Sequence, residues 1–318
     1  MPTLLISYTL PEPSIRSLSK RFTLIYPTEK QSFEREEILE HIVEADAYLA
    51  VNTAVDRQVI DCAQRLKIIA NYGAGYDDID TEYASSRGIV VTNTPTAVTE
   101  ATAEVAFGLT LSLMRNIAFC DRQLRYNQKF VWGMLKAHTG RSLYGKTLGI
   151  VGFGRIGRAV ARRAVVSGMK VIYHQRHPAF SRIENEVNAT YHTLHDLLEK
   201  ADVVSLHVPL TEATRHLIDT EELNRMKPSA FLINTARGGV VNQEALVHHL
   251  QEGKIAGAGL DVFAEEPEVP EALLSMDRVV LTPHIGTETI EARMAMADEA
   301  ERNLLSFFNG DRPPNVVN

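Results

Sequence analysis

Apolar residues come in short runs from Thr3 to Asn93. TLLISY, FTLIY, AYLAV, LKIIANY and IVVTN are too short for helices and predict strands. Between them, FEREEILEHIVEA and VDRQVIDCAQR carry apolar residues at helical spacing with polar residues filling the gaps. Strand and helix in alternation predict an open parallel sheet covered on both faces. A second series begins at Thr147 with TLGIVG, KVIYH, DVVSLHV, AFLINTA, GAGLDVF and RVVLTP, most of them separated by segments of helical length. The expected fold class is α/β, with one unit before about residue 97 and another after it.

Between the two series lies TEATAEVAFGLTLSLMRNIAFCDRQL, one long helical pattern with Thr99 as N-cap and Glu100 just after it. It is apolar on more than one face, more than a small domain can bury. The expectation is a helix that crosses between domains or meets a second subunit. YNQKFVWGMLKAHTGRSLYGK has no period and reads as a surface loop, whereas TIEARMAMADEAERNLLSFFNG reads as a helix ended by Gly310. The proline-rich DRPPNVVN follows it.

A chain of 318 residues fits two domains of ordinary size, and 45% apolar with 23% charged residues is a globular composition. The net charge of −7 gives no reason to expect nucleic acid or an anionic membrane as partner. No apolar run approaches the roughly 18 residues that span a bilayer. Cys62 and Cys120 are far apart and outside any C-x-x-C spacing. That argues against a disulfide scaffold or a zinc site and for a cytoplasmic location. The opening MPTLLISYTL lacks a basic region and reads as a first strand, not a signal peptide.

Gly152, Gly154 and Gly157 stand in G-x-G-x-x-G spacing, directly after one apolar run and directly before an amphipathic stretch. That context is what a dinucleotide site requires. The first glycine permits a tight turn, the second lets backbone approach a pyrophosphate, and the third allows close helix–strand packing. Free N–H groups and the positive dipole end of the new helix suit a phosphate pair. After the next run, an acidic residue would accept hydrogen bonds from the adenosine ribose of NAD and repel an added phosphate. Here Gln175, Arg176 and His177 occupy that place, and no acid occurs from Arg155 to Ile183. Arg176 is placed to fork onto a 2′-phosphate, with Gln175 and His177 as donors beside it. NADP(H) is therefore the expected preference, with NAD(H) as the alternative. Arg162 and Arg163 read instead as a solvated helix face.

Three later runs end in candidates for chemistry. AFLINTARGG carries Arg237, GAGLDVFAEEP carries Asp261, Glu265 and Glu266, and RVVLTPHIG carries His284. In an open α/β sheet the strand carboxyl ends face the ligand crevice, so these can gather beside the phosphate turn. Arg237 can grip a carboxylate in a bidentate pair and polarise a neighbouring carbonyl. His284 can give a proton to a forming alkoxide, and a Glu266 carboxylate would orient its ring and favour the imidazolium. No metal is called for, since the histidines show no ligand spacing and His248 and His249 on one helix point apart.

NYGAGYDDID, LYGKTLGIVGFGRIG, ADVVSLHVPLTEATRHLI, NTARGGVVN, GAGLDVFAEEP and TPHIG, in that order over nearly the whole chain, resemble the D-isomer-specific 2-hydroxyacid dehydrogenases, and within them the glyoxylate/hydroxypyruvate reductases. The resemblance implies catalytic roles for Arg237, Glu266 and His284. It implies a substrate-carboxylate loop at Tyr72, Gly73, Ala74 and Gly75, where backbone N–H groups can cradle an anion. Implied cofactor contacts are Thr102, Arg155, Ile156, Val208, Pro209, Thr214, Thr235, Ala236, Asp261 and Gly286. Gln175 departs from the aspartate of NAD-dependent members. The fold implied is two Rossmann-like, doubly wound domains: 1–96 plus 289–318 as a discontinuous, flavodoxin-like substrate domain, and 97–288 as the dinucleotide domain. The substrate domain would close on the other across an active-site cleft. A helix at Thr99–Ile117 would join the domains and help to form a homodimer, with Trp132 reaching toward the other subunit. The activity implied is hydride transfer from NAD(P)H to a small 2-oxo acid, glyoxylate or hydroxypyruvate, giving the D-2-hydroxy acid. Rival readings are a dehydrogenase of bulkier 2-oxo acids or of phosphoglycerate, with Val51, Asn52 and Tyr72 as pocket candidates, and a non-catalytic nucleotide-sensing interaction protein of the same fold.

Overall fold

The computed structural model describes residues 1–126 and 139–318. The loop residue Trp132 lies outside the described residues. The chain divides into two compact units, Met1–Val98 with Thr287–Asn318, and Thr99–Gly286.

The first unit holds five parallel strands, β1 (Thr3–Ile6), β2 (Thr23–Ile25), β3 (Ala47–Ala50), β4 (Ile68–Asn71) and β5 (Val90–Thr92). Their spatial order is β2-β1-β3-β4-β5, so the sheet reverses direction of growth between β1 and β3, a flavodoxin-like arrangement. Strands covered on both faces need no polar alternation, which is why Ala47–Ala50 is buried at every position. Leu5, Tyr48, Ile69 and Val91 pack with Ile38, Val59 and Ile60 from the helices Arg35–His41 and Arg57–Cys62. The chain end returns to this unit. The helix Ile290–Phe308 stops at Asn309, and Gly310 takes φ +87°, a conformation that glycine adopts without strain. The tail then covers the exposed edge of β5: Val317 N–H donates to Val91 O, and the Asn318 amide bonds both Val91 N–H and Ile89 O.

The second unit holds β6 (Thr147–Val151), β7 (Lys170–His174), β8 (Ala189–Tyr191), β9 (Val203–Leu206), β10 (Phe231–Asn234), β11 (Gly257–Leu260) and β12 (Val279–Leu281). All pair in parallel, in the order β12-β11-β10-β9-β6-β7-β8, the doubly wound Rossmann order with its switch point between β6 and β9. Successive residues face opposite cores. Ile150, Val203 and Ile233 join one cluster with Ala106 and Val160, while Val151, Val204 and Leu232 join another with Leu197 and Leu246.

Two expectations need correction. The apolar pattern from Thr99 is not one helix. It forms Thr99–Met114 and Ile117–Tyr126, bent by 65°. The break falls at Asn116, which takes φ 54°, and asparagine is among the few side chains that tolerate this region. The strand β8 is not legible as an apolar run, because its central residue, Thr190, is polar and exposed and polar residues flank the strand. Among the described residues no single helix is long and apolar enough to cross a membrane.

Candidate active site

The phosphate turn follows β6. Gly152 has φ +96°, and a Cβ there would meet His207 C and O at 2.6 Å and Val208 N at 2.9 Å, because the chain after β9 passes directly against it. A Cβ on Gly157 would lie 2.3 Å from Gly152 O, so the helix Arg155–Val166 can sit this close to the turn only with glycine there. Gly154 is different. It is the N-cap of that helix with no side-chain cap, it is exposed, and nothing lies within 4 Å of where its Cβ would be. Uncapped N–H groups facing open space at a twelve-residue helix fit a dinucleotide pyrophosphate. Ile156 is half-buried and Arg155 exposed in the first turn.

The loop after β7 carries Gln175, Arg176 and His177. Gln175 Nε2 donates to His177 O at 2.7 Å, tightening the loop, while Arg176 and His177 are exposed. Among the described residues the Arg176 side chain has no hydrogen-bond or ion-pair partner. Arg162 and Arg163, by contrast, bind Glu100 and Glu104 of the helix Thr99–Met114. Val208 and Pro209 follow β9, and Thr214 fastens their turn: its hydroxyl donates to Pro209 O at 2.6 Å and accepts from Thr211 N–H at 2.8 Å.

The chemistry candidates follow β10, β11 and β12, adjacent strands at one edge of the sheet. After β10, Asn234 braces the turn through its side chain, accepting from Ala236 N–H at 3.0 Å and donating to Arg237 O at 2.9 Å. Pattern gave no hint of this brace. Thr235 is buried and its hydroxyl has no hydrogen-bond partner among the described residues, an orphan polar atom beside the turn. Arg237 is half-buried. Gly238 follows because a Cβ there would lie 1.9 Å from Phe263 C and 2.0 Å from Phe263 O.

Asp261, after β11, is buried, and its carboxylate fastens the next segment. Oδ1 accepts from Thr282 Oγ1 at 2.6 Å and Ile285 N–H at 2.8 Å; Oδ2 accepts from Gly286 N–H at 2.9 Å. Burial raises its pKa above the usual aspartate value, against the lowering effect of these bonds and of His284. A Cβ on Gly286 would also meet Thr102, at 3.5 Å. His284 takes φ 53°, its N–H donating to Asp261 O at 2.8 Å. Its Nδ1 meets Glu266 Oε2 at 2.7 Å, and the ring is 45% exposed, leaving Nε2 with no partner among the described residues. Glu266 Oε1 accepts from Phe263 N–H at 3.0 Å, which fixes the carboxylate. Burial pushes its pKa up, but the bonds from His284 and Phe263 and the charges of His284 and Arg237 outweigh it, so the carboxyl lies below its ordinary value. Glu265 stays exposed and plays no part in this pair. The arrangement is a proton donor or acceptor held by an ionised carboxylate, with a guanidinium close enough for its charge to be felt.

In the first unit, the turn after β4 has its carbonyls turned inward. Asn71 Nδ2 donates to Gly73 O at 3.0 Å and Gly75 O at 2.7 Å, Thr94 N–H to Gly73 O at 2.9 Å, and Asn93 Nδ2 to Ala74 O at 2.8 Å. The N–H groups of Gly73, Ala74 and Gly75 donate to nothing among the described residues. Three consecutive free amides suit an anion. Tyr72 is corrected here. Its N–H is already given to Ala50 O at 2.8 Å, and its buried hydroxyl donates to Arg293 O, so neither can serve the cradle. Burial pushes that phenol up to about 12, against the pull of Arg293. Asn52 is exposed at the end of β3 with φ 46°. Among the described residues no group of three or more His, Cys, Asp or Glu could hold a metal ion.

Residues 107–286 match the family described as D-isomer specific 2-hydroxyacid dehydrogenase, NAD binding domain. The chain is 46% identical to a glyoxylate reductase of Pyrococcus furiosus, over 100% of this chain and 95% of that protein. Among solved structures it is similar to a glyoxylate reductase from Paecilomyes thermophila, with a TM-score of 0.89 and 35% identity, covering 100% of this chain and 99% of that one. It is also similar to an NADPH-dependent glyoxylate/hydroxypyruvate reductase from Sinorhizobium meliloti in complex with NADP and malonate, with a TM-score of 0.86 and 34% identity, covering 99% and 96%.

Proposed function

The chain belongs to the D-isomer specific 2-hydroxyacid dehydrogenases, and from that premise we propose that it reduces glyoxylate and hydroxypyruvate to their 2-hydroxy acids, with NADPH preferred over NADH. The observation that carries the reading is the 2.7 Å pair of His284 and Glu266, set after β12 and β11 in the sheet whose β6 leads into the phosphate turn.

A bound nicotinamide dinucleotide supplies hydride to the carbonyl carbon. Gly152, Gly154 and the first turn of the helix Arg155–Val166 would hold its phosphates, and Ile156, Val208, Pro209 and Thr214 would contact it. Arg237 grips the substrate carboxylate and draws electron density toward the carbonyl oxygen. His284 delivers the proton to that oxygen from Nε2, while Glu266 keeps Nδ1 bonded and stabilises the charged ring before transfer. On the first unit, the free N–H groups of Gly73, Ala74 and Gly75 are proposed as donors to a carboxylate anion. A small 2-oxo acid is favoured by the names of relatives at 43–46% identity, glyoxylate reductases such as those of Pyrococcus furiosus and Korarchaeum cryptofilum. The NADPH preference is supported by Arg176, an exposed and unpartnered guanidinium where an acid would favour NAD, and by the Sinorhizobium relative. We propose further that the protein is a cytoplasmic homodimer.

The test is NADPH oxidation on adding glyoxylate, hydroxypyruvate, pyruvate and phenylpyruvate in turn. Turnover should be fastest with the first two and fall by about 10²–10⁴ in His284→Ala, the size of a general-acid contribution. Well-folded protein that turns over none of the four would overturn the reading in favour of a nucleotide-sensing role.

A further inference from the structure

The loop Gln175–Ala179 has a second anchor that its own residues do not supply. Tyr173, the penultimate residue of β7, is fully buried, and its ring stacks on Phe153 with centroids 4.2 Å apart and planes 19° apart. Phe153 lies between Gly152 and Gly154, so the ring is held from the phosphate turn itself. Tyr191 of β8 meets it edge-on at 5.6 Å. Fixed in this way, the hydroxyl accepts from Ala179 N–H at 2.7 Å, closing the far end of the loop, and donates to Glu184 Oε1, also at 2.7 Å. Burial first, and the bonded carboxylate next, push the phenol up to about 12.

Glu184 is the first acid after the acid-free run from Arg155 to Ile183. Its half-buried carboxylate shares one hydroxyl with the end of the loop that carries Arg176, and is spent on that hydroxyl. We propose that Tyr173 is a positioning residue for dinucleotide choice: one hydroxyl pins the Gln175–Ala179 loop and keeps the Glu184 carboxylate bonded away from the 2′-phosphate position. This rests on the assignment of Arg176 to that phosphate. Without the hydroxyl, Ala179 N–H loses its acceptor and the Glu184 carboxylate loses its donor at the far end of the loop that carries Arg176, where its charge would oppose a phosphate bound to that loop.

The experiment compares steady-state constants for NADPH and NADH in the wild type, Tyr173→Phe, Glu184→Gln, the double variant and Arg176→Ala, with thermal unfolding as a check of fold. Tyr173→Phe should raise KM for NADPH roughly five- to tenfold, the scale of one hydrogen bond. KM for NADH and kcat at saturation should change less than about twofold. Adding Glu184→Gln should recover most of the NADPH affinity, because it removes the released charge. Glu184→Gln alone should leave the cofactor ratio unchanged, since the charge is already engaged, and this arm stands even should Tyr173→Phe fail to fold. An unchanged ratio in Tyr173→Phe, an equal loss with both cofactors, failure of the double variant to recover, or a raised NADPH preference in Glu184→Gln alone would overturn the proposal. Arg176→Ala separates the two levels. If it shifts the ratio and Tyr173→Phe does not, only the role of Tyr173 fails; if neither shifts it, the NADPH reading fails as well.

Discussion

Glu266 Oε2 lies 2.7 Å from His284 Nδ1, and Glu266 Oε1 is bonded to Phe263 N–H, so the carboxylate is fixed by the strand end that precedes it and in turn fixes the imidazole. Both oxygens are committed, and the charge rather than the shape is what Glu266→Gln removes. That variant should lower kcat about 10- to 150-fold, the range of a hydrogen bond to a charged group, with KM for NADPH unchanged. Steady-state kinetics check it.

The same pair predicts a pH signature of stability. The Glu266 carboxyl lies below its ordinary value of 4.5 in the fold, so the ionised form is favoured there. Its contribution is complete above the unfolded value, and is lost as pH falls through the lower folded one. The difference in Tm between wild type and Glu266→Gln should shrink and close as pH falls through values below 4.5. A difference that widens in that acid range would contradict this sign.

Asp261 should act on His284 without touching substrate. It receives Thr282 Oγ1, Ile285 N–H and Gly286 N–H, and its own carbonyl receives His284 N–H, so it holds both sides of the residue. Asparagine can present one oxygen but must turn an N–H₂ toward a donor. Asp261→Asn should cost roughly 1–3 kcal/mol of stability, as for a buried donor left unsatisfied, and lower kcat at least tenfold. Chemical denaturation and kinetics test the two parts separately.

Glycines in and beside the phosphate turn divide by what surrounds them. Gly157→Ala and Gly238→Ala would each drive a Cβ to within 2.3 Å of backbone atoms, and both should destabilise by about 1–3 kcal/mol or more. Gly154→Ala meets nothing within 4 Å among the described residues. It should fold with Tm nearly unchanged, yet raise KM for NADPH at least tenfold, since only a bound phosphate would contest that space. An unaltered KM would remove the phosphate from Gly154.

Much of this was legible in the sequence. Strands buried on both faces appear as uninterrupted apolar runs, and a glycine turn between strand and helix has a fixed spacing, so both can be read. Residues at successive strand ends, such as Arg237, Glu266 and His284, are readable because a parallel sheet puts all such ends on one side. The bend at Asn116 is not readable, because one residue in the left-handed region redirects a helix without disturbing its apolar period. Nor are Asn71, Asn93 and Asn234. Each acts by giving a side-chain amide to backbone carbonyls a few residues or a strand away, and such a bond leaves no repeat. Tyr72 is misread for a related reason: backbone pairing with Ala50 spends the N–H that the motif alone offers.

The Asn71 amide holds the carbonyls of Gly73 and Gly75 inward, and because C=O and N–H of one trans peptide point oppositely, the Gly73 bond turns Ala74 N–H outward, while the Asn93 bond to Ala74 O does the same for Gly75 N–H. Asn71→Ala releases the Gly75 carbonyl and leaves Gly73 O held by Thr94 N–H alone. KM for glyoxylate should rise about tenfold with KM for NADPH unchanged, the loss being of anion-binding geometry worth one or two hydrogen bonds. Equal increases in both KM values would show a general disturbance instead.

On the proposed NADPH preference, Arg176 is the residue expected to set the choice of dinucleotide. NADPH and NADH share every contact except the 2′-phosphate, so contacts of Gly152, Gly154 and the helix Arg155–Val166 cancel in the ratio of kcat/KM. What remains is the interaction of that phosphate with the loop after β7, where Arg176 is exposed and unpartnered, and no acid offers its ribose-binding alternative. A charge-assisted bond of roughly 1.5–3 kcal/mol corresponds to about 10- to 150-fold in that ratio. Arg176→Ala should therefore lower kcat/KM for NADPH by that factor and leave NADH within about twofold. Because an exposed guanidinium is screened, the preference should also shrink as salt is raised from 0.05 to about 0.5 M, and the variant should show no such dependence. A wild-type ratio indifferent to both the substitution and the salt would place the selectivity elsewhere in the loop.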